Sequence, residues 1–421
     1  MSPPPSPSSV ASSLLASKGL KLHSLRVIQS LWAGYGQTCH VTASPSLSAN
    51  SSAQTSRSVS AANSNVSTPQ ELQSFILKMT MPLRTDKSDE GHTRKALSYQ
   101  VEQYFYSELA PLLPSSISVA KCSTSINEHH PDGTSTTAML LSDLREQFPV
   151  AGEKRDELSP TQVHAALDWL SGFHGFWWPQ VKDMDRHSLV RPPLEEVEHD
   201  AGGAREKTVW LNGGYTYLAT RRKEYSSLAR DSSSKWNALL TMSKDSSISI
   251  AEMVADILAP RKEGRGATED YQTLIHGDVK SENLFTSVSG EEVAFYDFQY
   301  VGLGLGVCDL AKLFTCSLPL DMLVGDASVS LDMELEMQQG EKALLERYLA
   351  RLKDVSKKEY DWDVFLMHWE TALVDWLRFQ ASWGFWGHTE WLEARVRWIL
   401  KDKGWREKVE GNWKKSQRIH S

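Results

Sequence analysis

The chain has 421 residues, of which 40% are hydrophobic and 23% charged, so it can bury a large core. Its net charge of -8, from 45 basic and 53 acidic residues, argues against a general nucleic-acid binder. No apolar run approaches the roughly 18 residues of a membrane-spanning helix. The four cysteines lack the spacing of a metal site or a disulfide framework. We therefore expect a cytoplasmic protein without nucleic-acid or membrane partners.

The N-terminal region has the composition of a tail. No Asp or Glu precedes Glu71, and basic residues are scattered among serines, as in an organellar transit peptide. A glycine hairpin begins near Leu25, however, which leaves little room for a presequence. We predict a flexible tail over residues 1–24, with mitochondrial import as the alternative to a cytoplasmic location.

The next segments predict strands. Residues 27–41 read as two strands around the turn Gly34-Tyr35-Gly36, and residues 75–78 form an apolar run that ends in Lys78. Between them, residues 44–69 are rich in Ser, Asn, Ala and Thr and almost free of large apolar residues. This composition predicts a disordered insertion.

A helix is predicted after these strands. Val101, Phe105 and Leu109 recur at helical spacing and would lie on one face. Glu102 lies within this helix.

The most informative motif is a loop at residues 275–285 followed by a hairpin. The loop reads Ile-His-Gly-Asp-Val-Lys-Ser-Glu-Asn-Leu-Phe, and residues 294–299 read Ala-Phe-Tyr-Asp-Phe-Gln. Turn chemistry at residues 289–291 separates two short apolar runs, which predicts a β-hairpin. Asn283 and Asp297 then lie at the same end of the hairpin.

These side chains suit phosphoryl transfer. The amide oxygen of Asn283 and the carboxylate of Asp297 are hard ligands for Mg2+, which takes few protein ligands and completes its shell with phosphate oxygens and water. Asp278, across the same loop, is left to accept or orient a proton from an incoming hydroxyl. Positioning and electrostatics would supply most of the rate.

The pattern resembles the catalytic centre of the protein-kinase-like superfamily. His-Gly-Asp followed by Asp-Phe-Gln is similar to its aminoglycoside phosphotransferase and choline/ecdysteroid kinase-like branch. The resemblance implies an α+β, bilobal fold with a small β-rich N-lobe at residues 25–142 and a large helical C-lobe at residues 143–421. It also implies ATP and Mg2+ as cofactors.

The resemblance assigns roles to further residues. Gly34 and Gly36 would form the glycine hairpin of the nucleotide site, and Lys78 would hold the α and β phosphates. Glu102 would pair with Lys78, with Glu108 as the alternative. Lys280 would touch the γ-phosphate, next to Asp278 as the catalytic base.

The length of one segment indicates the class of acceptor. Only residues 298–308 separate Asp297 from Asp309, which leaves no room for the long activation segment of a protein kinase. Gln299 also replaces the glycine that makes this segment mobile in protein kinases. Both features favour a hydroxyl group on a small molecule as the acceptor. Lys280 is typical of protein kinases, so a protein serine/threonine kinase stays open, as does a non-catalytic pseudokinase.

Other polar and aromatic residues have structural and functional interpretations. Asp309 is interpreted as a carboxylate that braces the loop at residues 275–285, which we call the catalytic loop, with a second metal site as the alternative. His174 is interpreted as a buried, hydrogen-bonded histidine, with a catalytic base as the alternative. Tryptophans recur every seven residues in the C-terminal helices, which places them on one helical face. They form either core or the wall of an acceptor pocket. The two sets are Trp362, Trp369, Trp376 and Trp383, and Trp391, Trp398 and Trp405.

Overall fold

The structure is a computed structural model. In it the chain forms two compact units. One unit comprises Met1–Arg84 and Ala120–Asp143, and the other comprises Thr85–Val119 and Leu144–Ser421. The residues described by the structure are 5–31, 34–46, 72–81, 89–129, 135–200, 206–242, 248–262, 266, 268–325 and 331–418.

The first unit is an antiparallel sheet of five strands with one helix. Its strands run in the order β1-β2-β3-β5-β4, and β1 and β2 form the hairpin that carries Gly34 and Gly36. Lys78 lies on the central strand β3, between β2 and β5. The elements are α1 (Pro7–Ala16), β1 (Leu20–Ser30), β2 (Gly36–Pro45), β3 (Gln73–Thr80), β4 (Cys122–His129) and β5 (Ser135–Ser142).

Helix α1 corrects the prediction of a flexible tail over residues 1–24. Ser6 caps the helix by accepting a hydrogen bond from the N–H of Ser9, and Pro7 occupies the first turn. Leu14 and Leu15 are buried in the core that α1 forms with β2, β3 and β5. The sequence signal was missed because serine-rich composition was read as disorder, whereas the apolar residues of α1 cover one face of the sheet.

The predicted domain boundaries also differ from the units. Strand β1 begins at Leu20, before the predicted start of the N-lobe at residue 25. The segment Thr85–Val119, predicted within the N-lobe, groups with the second unit. The disordered insertion predicted at residues 44–69 lies outside the described residues except for its first part, where residues 44 and 45 end β2.

The second unit is mostly helical and contains two small sheets. One sheet has the strand order β6-β8-β9 and the other pairs β10 with β7. Its strands are β6 (Val150–Ala151), β7 (Thr273–Ile275), β8 (Leu284–Thr286), β9 (Val293–Phe295) and β10 (Gly302–Gly304). Its helices are α2 (Glu90–Tyr104), α3 (Pro160–Trp177), α4 (Pro193–Asp200), α5 (Arg222–Arg230), α6 (Asn237–Leu240), α7 (Ile250–Leu258), α8 (Gly306–Ser317), α9 (Leu320–Val324), α10 (Gln339–Ser356), α11 (Trp362–Trp383), α12 (Thr389–Lys401) and α13 (Lys403–Arg418).

A β-rich first unit and a helical second unit confirm the predicted α+β class. The predicted helix around Glu102 is α2, which continues into a π-helical turn at Phe105–Leu109. Val101, Phe105 and Leu109 are buried, as their spacing predicted. Across the described ranges, every helix is too short or too polar to cross a bilayer.

The tryptophan pattern of α11 passes from core to surface. Trp369 and Trp376 are buried, whereas Trp383, at the end of the helix, is 56% exposed. In the following helices Trp391 and Trp405 are buried and Trp398 is 38% exposed. Most of these side chains are therefore core, and Trp383 requires a separate explanation.

The packing of α1 leads to a prediction for stability. Leu15→Ala should lower the free energy of unfolding by about 2–5 kcal/mol, because Leu15 is fully buried against the sheet. Ser12→Ala, on the exposed side of the same helix, should change it by less than about 0.5 kcal/mol. Guanidinium denaturation of both variants measures the difference; equal midpoints would show that α1 does not stabilise the sheet.

Candidate active site

The predicted hairpin is present and brings two predicted site residues to one end. Leu284 of β8 pairs with Phe295 of β9, and the N–H of Tyr296 donates to the carbonyl of Asn283 at 3.0 Å. Asn283 therefore lies opposite Tyr296, one residue before Asp297. The hairpin prediction is confirmed.

Asn283 is hydrogen bonded to Asp278 across the loop. Its Nδ2 donates to the Asp278 carbonyl at 2.8 Å and to Asp278 Oδ2 at 3.1 Å. Both residues are buried. Because Nδ2 is committed to Asp278, the group that Asn283 can present to a cation is its amide oxygen.

Asp297 has an unusual backbone conformation. Its φ of 65° lies in the left-handed region, which residues with a Cβ rarely adopt. The next residue, Phe298, is fully buried and stacks on Phe105 with ring centroids 3.9 Å apart. Burial of Phe298 offsets the strain at Asp297, and such strain concentrates at functional sites.

Lys280 bridges two carboxylates. Its Nζ lies 3.2 Å from Asp278 Oδ2 and 3.2 Å from Glu282 Oε1. Burial alone would lower the pKa of Lys280, but the charges of Asp278 and Glu282 outweigh burial and raise the pKa above its usual value. Lys280 is therefore a cation held beside the predicted base.

Glu282 is a site residue that the sequence reasoning missed. Besides Lys280, its carboxylate accepts a hydrogen bond from the N–H of Arg155 at 3.1 Å. The same segment contacts the loop again, because Ser281 Oγ donates to the Glu153 carbonyl at 2.9 Å. The partner segment lies far away in the sequence, so spacing within the motif gave no signal for this contact.

Asp309 holds the backbone of the catalytic loop. Its carboxylate is fully buried and accepts hydrogen bonds from the N–H groups of His276 at 2.7 Å and Gly277 at 2.9 Å. His174 Nε2 lies 3.2 Å from the same carboxylate, and His174 Nδ1 lies 2.9 Å from the Tyr348 hydroxyl. Both structural interpretations are therefore confirmed. With these donors on Asp309, nothing favours the alternative of a second metal site.

Helix α8 contacts the loop at two further points. Lys312 Nζ donates to the Gly277 carbonyl at 2.7 Å, and Ser317 Oγ accepts from the N–H of Ser281 at 2.8 Å. The peptide groups before and after Gly277 are thus both held by one helix. A Cβ at Gly277 would lie 2.3 Å from the Tyr300 carbonyl oxygen, so only glycine fits there.

Gln299, which replaces the usual glycine, is fixed at its side chain and backbone. Ser98 Oγ donates to Gln299 Oε1 at 3.2 Å, and Trp210 Nε1 donates to the Gln299 carbonyl at 2.8 Å. These bonds agree with the expectation that this segment is not a mobile switch.

The predicted nucleotide-binding residues fall in both units. Gly34, with φ of 72°, and Gly36 form the turn between β1 and β2, and a Cβ at Gly36 would lie 2.0 Å from the Met79 carbonyl oxygen. Lys78 is half-buried on β3 of the first unit. Glu102 is buried on α2 of the second unit. The pairing of Lys78 with Glu102 stays a prediction.

Comparisons with known proteins add an independent finding. A sequence model of the ecdysteroid kinase-like family matches residues 54–332, more than half of the chain. None of the curated proteins matches the sequence.

Solved structures of proteins named as kinases or phosphotransferases are weakly similar to this chain. The amicoumacin kinase hAmiN is 13% identical, with 91% of this chain and 87% of that chain covered and a TM-score of 0.37. Macrolide 2'-phosphotransferase MphH from Brachybacterium faecium is 12% identical, with 96% and 97% covered and a TM-score of 0.40. Plasmodium vivax ethanolamine kinase is 11% identical, with 93% and 85% covered and a TM-score of 0.36. These scores lie below 0.5, so membership of a family rests on the sequence match.

The bracing role of Asp309 leads to a prediction. Asp309→Asn should lower the free energy of unfolding by about 3 kcal/mol or more, because the substitution leaves buried donors without their charged acceptor. Burial alone would raise the pKa of Asp309. The hydrogen bond from His174 and the nearby positive charges outweigh burial, so the pKa lies below its usual value. The stabilisation is therefore present above the usual carboxyl range and lost as the pH falls through the lowered pKa.

Urea denaturation at neutral and acidic pH measures this effect. Asp332→Asn, at an exposed carboxylate, is the matched control and should unfold at the parent's midpoint. The parent and Asp309→Asn should converge at acidic pH, and identical midpoints at neutral pH would contradict the bracing role.

Proposed function

The chain belongs to the ecdysteroid kinase-like family, and we propose that it transfers the γ-phosphate of ATP to a hydroxyl group of a small molecule. One observation carries the proposal: Asp278, Lys280 and Asn283 form one hydrogen-bonded group at the end of the hairpin that bears the strained Asp297.

Asp278 is the proposed catalytic base. Asn283 and Lys280 both contact Oδ2, which fixes the orientation of the carboxylate. Oδ1 is then the oxygen that would accept or orient the proton of the incoming hydroxyl. Lys280 would touch the γ-phosphate, and its contact with Glu282 would hold it in reach.

Mg2+ fits the donor set of the hairpin end. Asn283 Oδ1 and the Asp297 carboxylate are hard oxygen donors, and both would hold the ion. When bound, Mg2+ would neutralise negative charge on the phosphate oxygens. Over the described ranges, no three His, Cys, Asp or Glu side chains form a metal site.

Further residues are proposed to hold the nucleotide. The hairpin of Gly34 and Gly36 would cover the phosphates, and Lys78 would contact the α and β phosphates with Glu102 as its partner. These roles rest on the family resemblance.

A small molecule is proposed as the acceptor because the segment after Asp297 is short and fixed. Gln299 is bonded at its side chain and carbonyl, β10 follows at Gly302–Gly304, and α8 begins at Gly306. A peptide acceptor needs an extended platform, and this segment provides none. The intact Asp278, Asn283 and Asp297 oppose a non-catalytic role.

A screen tests the proposal directly. The full chain is incubated with ATP and Mg2+ against a library of hydroxyl metabolites and, separately, against generic protein substrates, and phosphorylated products are detected by mass spectrometry. Phosphorylation of small molecules but not of proteins is expected. Efficient phosphorylation of proteins while every small hydroxyl compound fails would overturn the acceptor class, and no turnover of any substrate would overturn the kinase activity.

Asp278→Asn separates the base from the fold. The amide keeps the shape of the side chain, so ATP binding should persist, whereas turnover should fall by about two to four orders of magnitude. Calorimetry measures the ATP affinity and an ADP-release assay measures turnover. Parent-level turnover in this variant would remove Asp278 from its proposed role.

Asp297→Ala separates the metal ligand from the base. Removal of a proposed ligand should weaken the tightening of ATP binding by Mg2+ as well as lower the rate, and Asn283→Ala should do so to a smaller extent. Titrations of ATP with and without Mg2+ measure this difference. The ligand assignment is wrong if Mg2+ tightens ATP binding in Asp297→Ala as it does in the parent.

A further inference from the structure

A histidine, a serine and an aspartate are hydrogen bonded in a row on the five-stranded sheet of the first unit. His40 Nε2 lies 2.9 Å from Ser74 Oγ, and Ser74 Oγ donates to Asp143 Oδ2 at 3.0 Å. We call these three residues the His40 relay. They come from β2, from β3 and from the residue after β5. The Asp143 side chain is buried, whereas the His40 ring is partly exposed, so the relay leads from the interior to a ring that a ligand can reach.

The order of donors in the relay fixes the tautomer of His40. A hydroxyl carries one hydrogen, and Ser74 gives it to the carboxylate of Asp143, which accepts. Ser74 Oγ can then meet His40 Nε2 only as an acceptor, so Nε2 carries the hydrogen of the neutral ring. The Asp143 carboxylate, 3.7 Å from the same nitrogen, also favours a hydrogen there. Nδ1 of the neutral ring therefore carries no hydrogen and can only accept.

The register of the sheet places His40 on the same side as Lys78. His40 pairs with Ile76, and Thr38 pairs with Lys78, so these four residues project to one side of the sheet. The alternate residues of β2 and β3 project to the other side, into the core that α1 covers. His40 thus shares its side of the sheet with the lysine that is proposed to bind the phosphates.

The order of residues along β2 gives this side of the sheet a direction. Gly36 begins β2 at the glycine turn, Thr38 pairs with Lys78, and His40 follows two residues later. Two residues of a strand span about 7 Å. A nucleotide whose phosphates lie at the glycine turn and Lys78 would therefore extend its ribose and base along β2 towards His40.

An apolar surface suited to a planar ring adjoins His40. Ile76, which pairs with His40, is half-buried, and Leu141 of β5 pairs with Ile76. Leu141 and Met139 are buried on the same side of the sheet. A flat heterocycle on this surface would present its polar edge to the His40 ring.

The acceptor Nδ1 of His40 distinguishes two kinds of purine. Position 6 of adenine carries an amino group, which donates hydrogen bonds, whereas position 6 of guanine or hypoxanthine carries an oxygen, which accepts them. The amino group satisfies an acceptor on the protein. The oxygen leaves that acceptor unsatisfied, which costs binding energy. The relay therefore favours a 6-amino purine.

We propose that His40 contacts the base of the bound nucleoside triphosphate, and that Ser74 and Asp143 hold its ring in the tautomer that selects 6-amino over 6-oxo purines. This inference rests on the proposed function, because it concerns the nucleotide of the same reaction. His40 is a specificity-determining residue, and Ser74 and Asp143 are positioning residues that act through it. None of the three takes part in phosphoryl transfer.

A matched pair of nucleotides tests the selection by binding alone. ATP and ITP share the ribose and the phosphates and differ in the amino or oxo group at position 6 of the base. Calorimetry of the full chain with Mg2+ gives the Kd of each nucleotide. ATP should bind at least about ten-fold more tightly, the scale of one hydrogen bond made in one complex and lost in the other. Equal affinities, tighter binding of ITP, or no binding of ATP overturn the proposal.

Substitution of the ring assigns the preference to His40. His40→Phe keeps an aromatic ring without nitrogen atoms and should lower the preference for ATP to about three-fold or less. His23→Phe is the matched control, because His23 is an exposed histidine of β1, and it should keep the preference of the parent. An unchanged preference in a folded His40→Phe overturns the proposal.

Two variants of Ser74 test the tautomer and leave the His40 ring in place. Ser74→Ala removes the acceptor that holds the hydrogen on Nε2, so the hydrogen can move to Nδ1 and the preference should fall to about three-fold or less. Ser74→Thr keeps the hydroxyl and should retain the preference. A merely structural role of Ser74 would change the affinities for both nucleotides alike and leave their ratio unchanged. Equal ratios in the two variants overturn the role of the relay.

The comparison of ATP with ITP in the parent needs no variant, so it is decisive even where a substitution prevents folding. It is also independent of turnover. A chain that prefers ATP to ITP but phosphorylates no acceptor retains this inference and loses the proposed function. A kinase that binds both nucleotides equally retains the proposed function and loses this inference.

Discussion

The catalytic loop depends on one buried carboxylate. Asp309 accepts hydrogen bonds from two consecutive backbone N–H groups, those of His276 and Gly277, and is joined by His174 from α3. Three donors offset the desolvation cost of this buried charge. Lys312, one turn further along α8, donates to the carbonyl of Gly277, in the next peptide group. The position of Asp278 is therefore set by a helix that does not touch its carboxylate.

The other half of the site is held by packing rather than by charge. Phe298 is buried against Phe105 of the π-helical turn, and this burial keeps the preceding Asp297 in its left-handed conformation. Burying an aromatic ring contributes about 2 kcal/mol or more, and the cost of a strained backbone is of order 1–3 kcal/mol. The two effects are comparable in size. Packing of Phe298 is therefore sufficient to hold Asp297, a candidate metal ligand, in a backbone conformation that it would not adopt alone. Gln299 adds two hydrogen bonds to the same segment.

Local motifs were predictable from the sequence, and long-range contacts were not. Membership of the ecdysteroid kinase-like family confirms the recognised branch, the kinase-like fold class and the class of small-molecule kinase. The hairpin that aligns Asn283 with Asp297 follows from residues within one short segment. Glu282 was missed because its partner, the N–H of Arg155, comes from a segment that no spacing rule connects to the motif. Helix α1 was missed because its stability comes from the sheet it covers, and composition alone does not show that surface.

Helix α11 shows the same limit most clearly. A seven-residue repeat of tryptophan correctly predicts one face of α11, but the helix emerges from the core, so Trp369 is fully buried and Trp383 is mostly exposed. The same pattern therefore serves packing in the middle of the helix and lies at the surface at its C-terminal end. The guanidinium of Arg221 lies over the rings of Tyr215, Phe379 and Trp383. Arg221 is far from α11 in the sequence and belongs to no recognisable motif. Asp278 is positioned by the contacts of α8 with the catalytic loop, whereas Phe379 and Trp383 belong to α11.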